Sequence, residues 1–231
     1  MKILGIIPAR GGSKGVPRKN IKQLAGKPLI AYTIQSGKAS KHLNHLIVST
    51  EDEEIAAISR KLKADVPFLR PNELAQDSTP TLPVLIHALN YYSQLGQYFD
   101  AVCILQTTTP FRPAKMIDNA IEKFISTGAD TLISLRPVPI EYNPHWVFEE
   151  TTGELLKIST GERQIIPRRQ ELPPAFHRDG MLYLVKSDVL LKQNTIFGNT
   201  ITGYLTQGEA VNIDTFEDWN KAEELATKLY N

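Results

Sequence analysis

Apolar residues along this chain fall into short runs that alternate with longer stretches of helical period. Residues 3–7, 46–49, 101–105 and 131–135 are brief, mostly apolar runs and predict buried strands. Between them, residues 29–37, 53–62, 82–92 and 114–125 repeat apolar positions at i, i+3 and i+4, the pattern of helices with one face toward a core. Thr50-Glu51-Asp52-Glu53 has the spacing of a capping box opening the second of these helices. Strand then helix, repeated, predicts an α/β fold: a Rossmann-like, mostly parallel sheet with helices on both faces. Ligands of such sheets bind beyond the carboxyl ends of the strands, so the informative loops are 9–20, 106–112 and 137–143.

The alternation breaks at about residues 137–178. There Pro137, Pro139, Pro144, Pro167, Pro173 and Pro174 surround two short pieces, Trp146-Val147-Phe148 and Leu155-Leu156-Lys157-Ile158. An inserted hairpin with an extended arm is expected, set into a single domain that spans 1–231. Regular structure resumes at 181–185, followed by a short strand near 210–213 and a C-terminal helix opened by Asp214 or Thr215. No apolar stretch approaches the roughly 18 residues of a membrane span, so no membrane association is expected. The first apolar run ends at Pro8 and leads into a charged loop, which reads as a first strand and not a signal peptide; a cytoplasmic protein is expected. Cys103, the only cysteine, sits inside an apolar run, which excludes disulfides within the chain and cysteine-based zinc sites.

Charge changes the picture more than composition does. With 26 basic and 25 acidic residues the formal charge is only +1. Yet residues 1–50 contain no Asp or Glu and carry Lys2, Arg10, Lys14, Arg18, Lys19, Lys22, Lys27, Lys38 and Lys41. The chain's end is acidic, with Glu209, Asp214, Glu217, Asp218, Glu223 and Glu224. An anion-binding end and an acidic end that face each other are expected. The densest signal is Pro8-Ala9-Arg10-Gly11-Gly12-Ser13-Lys14-Gly15-Val16-Pro17-Arg18-Lys19-Asn20. Its glycines let several backbone N–H groups approach one anion, and Arg10, Lys14, Arg18 and Lys19 can neutralise a triphosphate. It is neither a P-loop nor the dinucleotide fingerprint, which argues against kinase, ATPase and dinucleotide readings. Nucleic acid is an unsuitable partner, because the cations lie in a Gly loop and no aromatic platform interleaves them.

This loop resembles the signature of the CMP-sialic acid (CMP-N-acylneuraminate, or nonulosonate) synthetases, a family of cytidylyltransferases. The resemblance continues through Leu69-Arg70-Pro71-Asn72-Glu73-Leu74-Ala75-Gln76-Asp77-Ser78-Thr79, Leu105-Gln106-Thr107-Thr108-Thr109-Pro110-Phe111-Arg112, Asp179-Gly180-Met181-Leu182-Tyr183 and Asn212-Ile213-Asp214-Thr215-Phe216-Glu217-Asp218. It implies the nucleotide-diphospho-sugar transferase type of fold. It also implies transfer of CMP from CTP to the anomeric hydroxyl of an acidic 2-keto-3-deoxy sugar, with Mg²⁺ as cofactor and release of pyrophosphate. In that resemblance Arg10, Lys19 and Asp214 are catalytic. Gly11, Gly12, Ser13, Lys14, Asn20, Arg70, Asp77, Thr79 and Thr81 join Arg10 and Lys19 around the nucleotide. Gln106, Arg169, Asp179 and Tyr183 meet the sugar, and Asp214 with Asn212 holds the metal. The arm, which includes Arg168 and Arg169, is implied to form a homodimer.

The chain departs from the family's pattern twice. His177-Arg178-Asp179-Gly180 stands where Arg-Pro-Asn-Gly is usual, and Asn212 stands where an Asp is usual. An amide oxygen remains an acceptable but uncharged ligand for a hard cation. The alternatives weighed are a nucleotidyltransferase for another sugar and a non-catalytic nucleotide-sugar-binding protein, for which Asn212 is the argument.

Overall fold

The computed structural model describes residues 1–230. The chain divides into two compact units, Met1–Ser134 with Gly180–Asn231, and Leu135–Asp179. In chain order the elements begin with β1 (Ile3–Pro8), the short strands β2 (Gln23–Leu24) and β3 (Lys27–Pro28), α1 (Leu29–Ala39), β4 (His45–Ser49), α2 (Glu53–Lys61), α3 (Thr81–Gln94) and β5 (Ala101–Ile104). They continue with α4 (Ala114–Thr127), β6 (Thr131–Pro137), β7 (Phe148–Glu150), β8 (Leu156–Ile158), β9 (Phe176–Lys186), α5 (Ser187–Lys192), β10 (Ile201–Leu205) and α6 (Phe216–Tyr230).

Six strands form one sheet in the order β10-β6-β9-β5-β1-β4. β1 runs parallel to β4 and β5, whereas β9 runs antiparallel to β5. The central strands β1 and β5 are buried on both faces because their side chains alternate between two apolar layers, whereas the edge strand β10 is partly exposed. Ile3, Ile7, Ala101 and Cys103 join Ile30 and Ile34 of α1, Ile55 of α2 and Ile117, Ile121 and Phe124 of α4. Leu4, Ile6, Val102 and Ile104 join Leu85, Ala88 and Leu89 of α3 and Val189 and Leu190 of α5. Each fully buried Ile or Leu contributes about 1.5–3 kcal/mol of transfer free energy, which explains why so brief a run as β5 is specified at all. Cys103 is fully buried, and burial pushes its thiol up to about 12, so it acts as a small apolar side chain.

A third cluster positions the functional loops. Val16 of the Gly-rich loop packs with Leu24, Leu29, Tyr32, Ile213, Trp219 and Ala222. The basic loop and the acidic C-terminal segment therefore share one apolar anchor. Among the described residues no helix is long and apolar enough to cross a membrane.

Two local expectations are corrected. Asp52, not Thr50, caps α2: its side chain accepts the Ile55 N–H at 2.9 Å, while Thr50 Oγ1 accepts the Asp52 N–H at 3.1 Å. Residues 210–213 form no strand; Ile213 is held by an N–H bond to the Thr108 carbonyl at 2.8 Å, and the sheet is completed by β10. The helix α5 lacks the length that makes helical period visible in sequence.

The second unit contains the antiparallel hairpin of β7 and β8, with Phe148 opposite Ile158. Gly153 at φ 70° and Glu154 at φ 65° form its turn. Trp146 donates its indole N–H to the Ile166 carbonyl at 2.7 Å, and Asn143 donates to the Pro173 carbonyl at 3.0 Å. These bonds give a Pro-rich segment defined internal partners. Tyr142, Phe148, Leu155, Leu156, Ile165 and Phe176 remain exposed on it.

Candidate active site

Loops after β1 and β5, the segment that leads from α2 into α3 and the segment before α6 converge on a cleft of about 560 Å³ in the first unit. Its wall includes Arg10, Ser13, Lys14, Gly15, Lys19 and Asn20 from the Gly-rich loop, Arg70, Asp77, Thr79 and Thr81 before and within α3, Gln106 after β5, and Asn212 and Asp214. Fifteen of the site residues named from the sequence belong to the first unit, and the cleft gathers twelve of them into its wall.

The Gly-rich loop is shaped by close packing. Arg18 adopts φ 55°, and its carbonyl accepts the N–H groups of Ile21 at 3.0 Å and Lys22 at 3.1 Å. A side chain at Gly15 would collide with the Asp214 carbonyl, so only glycine lets the two segments touch. A side chain at Gly11 would meet Asp52 and Arg18. Gly11 and Gly12 lie outside the cleft wall. The Gly11 N–H is donated to Glu51 Oε1 at 2.6 Å, so a protein carboxylate already accepts this amide.

The loop's cations have separate partners. Lys19, 12% exposed in its side chain, donates to the Ile213 carbonyl at 2.6 Å and lies 3.4 Å from Asp214. The expected facing of basic and acidic ends is this contact. Arg10 and Lys14 each meet Asp77 at 2.9 Å. Arg18 is a correction: it pairs with Asp52 and Glu54 at the start of α2 and is not part of the cleft wall. The Arg18 guanidinium, bonded to Asp52, holds that carboxyl below the usual carboxylate range against the opposing effect of burial.

Asn20 is buried and ties loops together. It donates to the Arg10 carbonyl at 2.8 Å and accepts from Thr107 Oγ1 at 2.6 Å. Arg70 is also buried, with Nη2 at 2.8 Å from Glu51 Oε2. Glu51 thus connects the Gly-rich loop to Arg70, a role that sequence reasoning missed. The available signal was an acid directly after the end of a strand. Gln76, Thr107 and Thr108 also line the cleft unannounced. Gln106 stands opposite Gly180, whose missing side chain leaves room for its Oε1.

Tyr183 is 6% exposed and belongs to the apolar layer with Leu4 and Val102, outside the cleft wall. In the second unit, Asp179 has a side chain only 4% exposed and lies 3.7 Å from Arg136. Burial beside a guanidinium gives this departure from the family's asparagine a packing reason. Arg169 is exposed in a single 3₁₀ turn, and it is its neighbour Arg168 that lies 3.7 Å from Glu171. Asn212 donates its side-chain amide to Asp214 at 2.6 Å, so the two side chains do meet although their segment is not a strand.

The model of the cytidylyltransferase family matches residues 4–229. The chain belongs to the cytidylyltransferase family. It is a nucleotidyltransferase. This cytidylyltransferase is similar to the CMP-N,N'-diacetyllegionaminic acid synthase of Legionella pneumophila, at 32% identity over 228 residues, 97% of this chain and 96% of that one. It is similar to the pseudaminic acid cytidylyltransferase of Campylobacter jejuni, at 32% identity over 94% of this chain and 93% of that one. Among solved structures, a CMP:2-keto-3-deoxy-manno-octonic acid synthetase complexed with CTP shares the fold, with TM-score 0.74 and 15% identity, covering 99% of this chain and all of that one. The α/β fold with a mostly parallel sheet expected from the sequence is the fold of this family.

Proposed function

We propose that this cytidylyltransferase moves CMP from CTP to the anomeric hydroxyl of an acidic 2-keto-3-deoxy sugar of the nonulosonic class and releases pyrophosphate. The observation that carries the reading is the cleft itself. Arg10, Lys14 and Lys19 line it from the Gly-rich loop, while Arg70, Thr79, Thr81 and Gln106 supply polar groups elsewhere on the wall. The relatives named for legionaminic and pseudaminic acids support an acidic acceptor.

In this reading the acceptor hydroxyl attacks the α-phosphorus and pyrophosphate leaves. Such chemistry needs charge neutralisation and alignment more than a covalent intermediate. Arg10 and Lys19 neutralise charge that develops on the phosphates. Lys19, fixed by the Ile213 carbonyl, is held ready without further ordering. Asn20, by bracing Arg10's carbonyl against Thr107, keeps the loop after β1 in register with the loop after β5. Gln106 would orient the sugar.

The donor set near the C-terminal segment fits Mg²⁺. Asp214 supplies one carboxylate with a side chain 63% exposed, and the Asn212 amide beside it can turn its oxygen outward. Mg²⁺ commonly takes one or two carboxylates with the remaining ligands from phosphates and water, so Asp214 and Asn212 would hold it together with the nucleotide. When bound it would neutralise phosphate charge and help fix the triphosphate. The exposed apolar side chains of the second unit support a homodimer through that unit.

The test is pyrophosphate release from CTP, ATP, GTP and UTP against a set of 2-keto-3-deoxy acids. Release with CTP and a nonulosonic acid is expected. Equal or faster turnover with ATP or GTP would defeat the assignment.

A further inference from the structure

Asp77 occupies an unusual position for an acid. It lies on the wall of a cleft whose proposed ligand carries about four negative charges. Its two oxygens are divided between the cations, Oδ1 at 2.9 Å from Arg10 and Oδ2 at 2.9 Å from Lys14. Arg10 is further held by the neighbouring Gln76 carbonyl at 3.2 Å. The hydrogen bond from Lys14, with the charges of Lys14 and Arg10, holds the Asp77 carboxyl below its ordinary range. A carboxylate in this place has no hydrogen to donate to a phosphate oxygen. It can only compete with one.

The segment that carries Asp77 does not need this carboxylate for its own shape. Ala75 N–H bonds the Asn72 carbonyl at 3.0 Å, and Thr79 N–H bonds the Gln76 carbonyl at 3.0 Å. Gln76 Nε2 reaches the Asn72 carbonyl at 3.0 Å, and Thr79 Oγ1 the Glu73 carbonyl at 3.1 Å. The charge of Asp77 is directed wholly at the Gly-rich loop.

We propose that Asp77 is a specificity-determining counter-ion, whose carboxylate competes with phosphate oxygens for Arg10 and Lys14 and so excludes weakly held anions from the cradle and helps expel the leaving pyrophosphate. The inference rests on the reading of Arg10 and Lys14 as phosphate ligands. An anion held by these two cations alone exchanges one pair of ionic contacts for another and gains little. A nucleoside triphosphate brings additional contacts at Arg70, Thr79 and Thr81, and these tip the exchange in its favour. Once the α–β bond is cleaved, pyrophosphate loses that tether and must compete alone against a carboxylate held permanently at high effective concentration. Discrimination thus comes from a built-in competitor as well as from attraction to the correct ligand.

Asp77→Asn removes the charge and preserves the shape. The pairs are partly exposed, with side-chain exposures of 34% for Arg10, 79% for Lys14 and 46% for Asp77, so the effect is modest. Calorimetric titration with inorganic pyrophosphate should show binding about three- to tenfold tighter than wild type, with the melting temperature unchanged. The KM for CTP should fall by a smaller factor, and product inhibition by pyrophosphate should deepen. Asp77→Glu keeps the charge and should bind pyrophosphate within about twofold of wild type. Pyrophosphate binding that is unchanged or weaker in Asp77→Asn overturns the proposal, since a bracing role for Asp77 would give that result. Because this titration needs no turnover, tighter binding by Asp77→Asn in a protein that transfers no CMP would leave Asp77 as the competitor and refute only the reaction proposed above.

Discussion

Replacing Glu51 by alanine should uncouple the Gly-rich loop from Arg70 and destabilise the whole first unit. Glu51 accepts two bonds, from the Gly11 N–H at 2.6 Å and from Arg70 Nη2 at 2.8 Å. Its side chain is 13% exposed and that of Arg70 only 3%, so water cannot replace what is lost. Removing one partner of a buried pair leaves an uncompensated charge and costs about 3–5 kcal/mol. In a chain of this size each kcal/mol shifts the melting temperature by about 2–4 °C, so Glu51→Ala should melt roughly 6–20 °C below wild type. Glu51→Gln keeps one acceptor oxygen but turns an NH₂ toward a donor, and should lose about half as much. The double variant Glu51→Leu with Arg70→Met removes both charges and should melt well above Glu51→Ala, while its affinity for CTP stays low because Arg70 lines the cleft. Scanning calorimetry on the three variants measures this directly. A Glu51→Ala protein that melts within about 2 °C of wild type, or a double variant no more stable than the single one, would refute the reasoning.

Arg10→Ala and Lys19→Ala should each lose several kcal/mol of transition-state stabilisation in kcat/KM for pyrophosphate release, and activity within about twofold of wild type would move the phosphate cradle elsewhere. Asp214→Asn should abolish turnover while leaving CTP binding measurable, and Asn212→Asp should lower the Mg²⁺ concentration for half-maximal rate; a wild-type Mg²⁺ dependence in both removes this pair from the metal site. The Asp52 carboxyl is depressed by Arg18, so its folded state binds fewer protons than the unfolded chain in acid, and the pair's stabilisation is present above about pH 5 and lost as pH falls through the folded value. Melting curves from pH 3 to 7 should therefore fall less steeply in acid for Arg18→Ala, and parallel curves would show that the pair contributes nothing. Sedimentation should find a dimer, and Phe148→Glu with Leu156→Glu on the exposed hairpin should convert it to monomer; an unaltered dimer would place the interface off the second unit.

What the sequence determined by itself was whatever depends on near neighbours along the chain. Short continuous apolar runs and the period-3.6 pattern of apolar residues are local, so β1, β4, β5, β6 and α1 to α4 were legible to within a few residues. The basic Gly-rich loop was legible for the same reason, because its glycines and cations lie together in one stretch. Tertiary structure decided which groups remain available to a ligand. Arg18 and Lys19 are neighbours in sequence, yet Arg18 is taken by Asp52 and Glu54 while Lys19 is turned toward Ile213 and Asp214. Tyr183, which the resemblance places beside the sugar, is directed by the alternation along β9 into the apolar layer and lies outside the cleft wall. Residues 210–213 have the composition of a strand, but their partner is the loop at Thr108. Glu51, Asn20 and Asp77 acquire their meaning from residues dozens of positions away. A side chain's chemistry is inherent in its type, but whether its charge or hydrogen bond is already satisfied depends on contacts that only the folded chain creates.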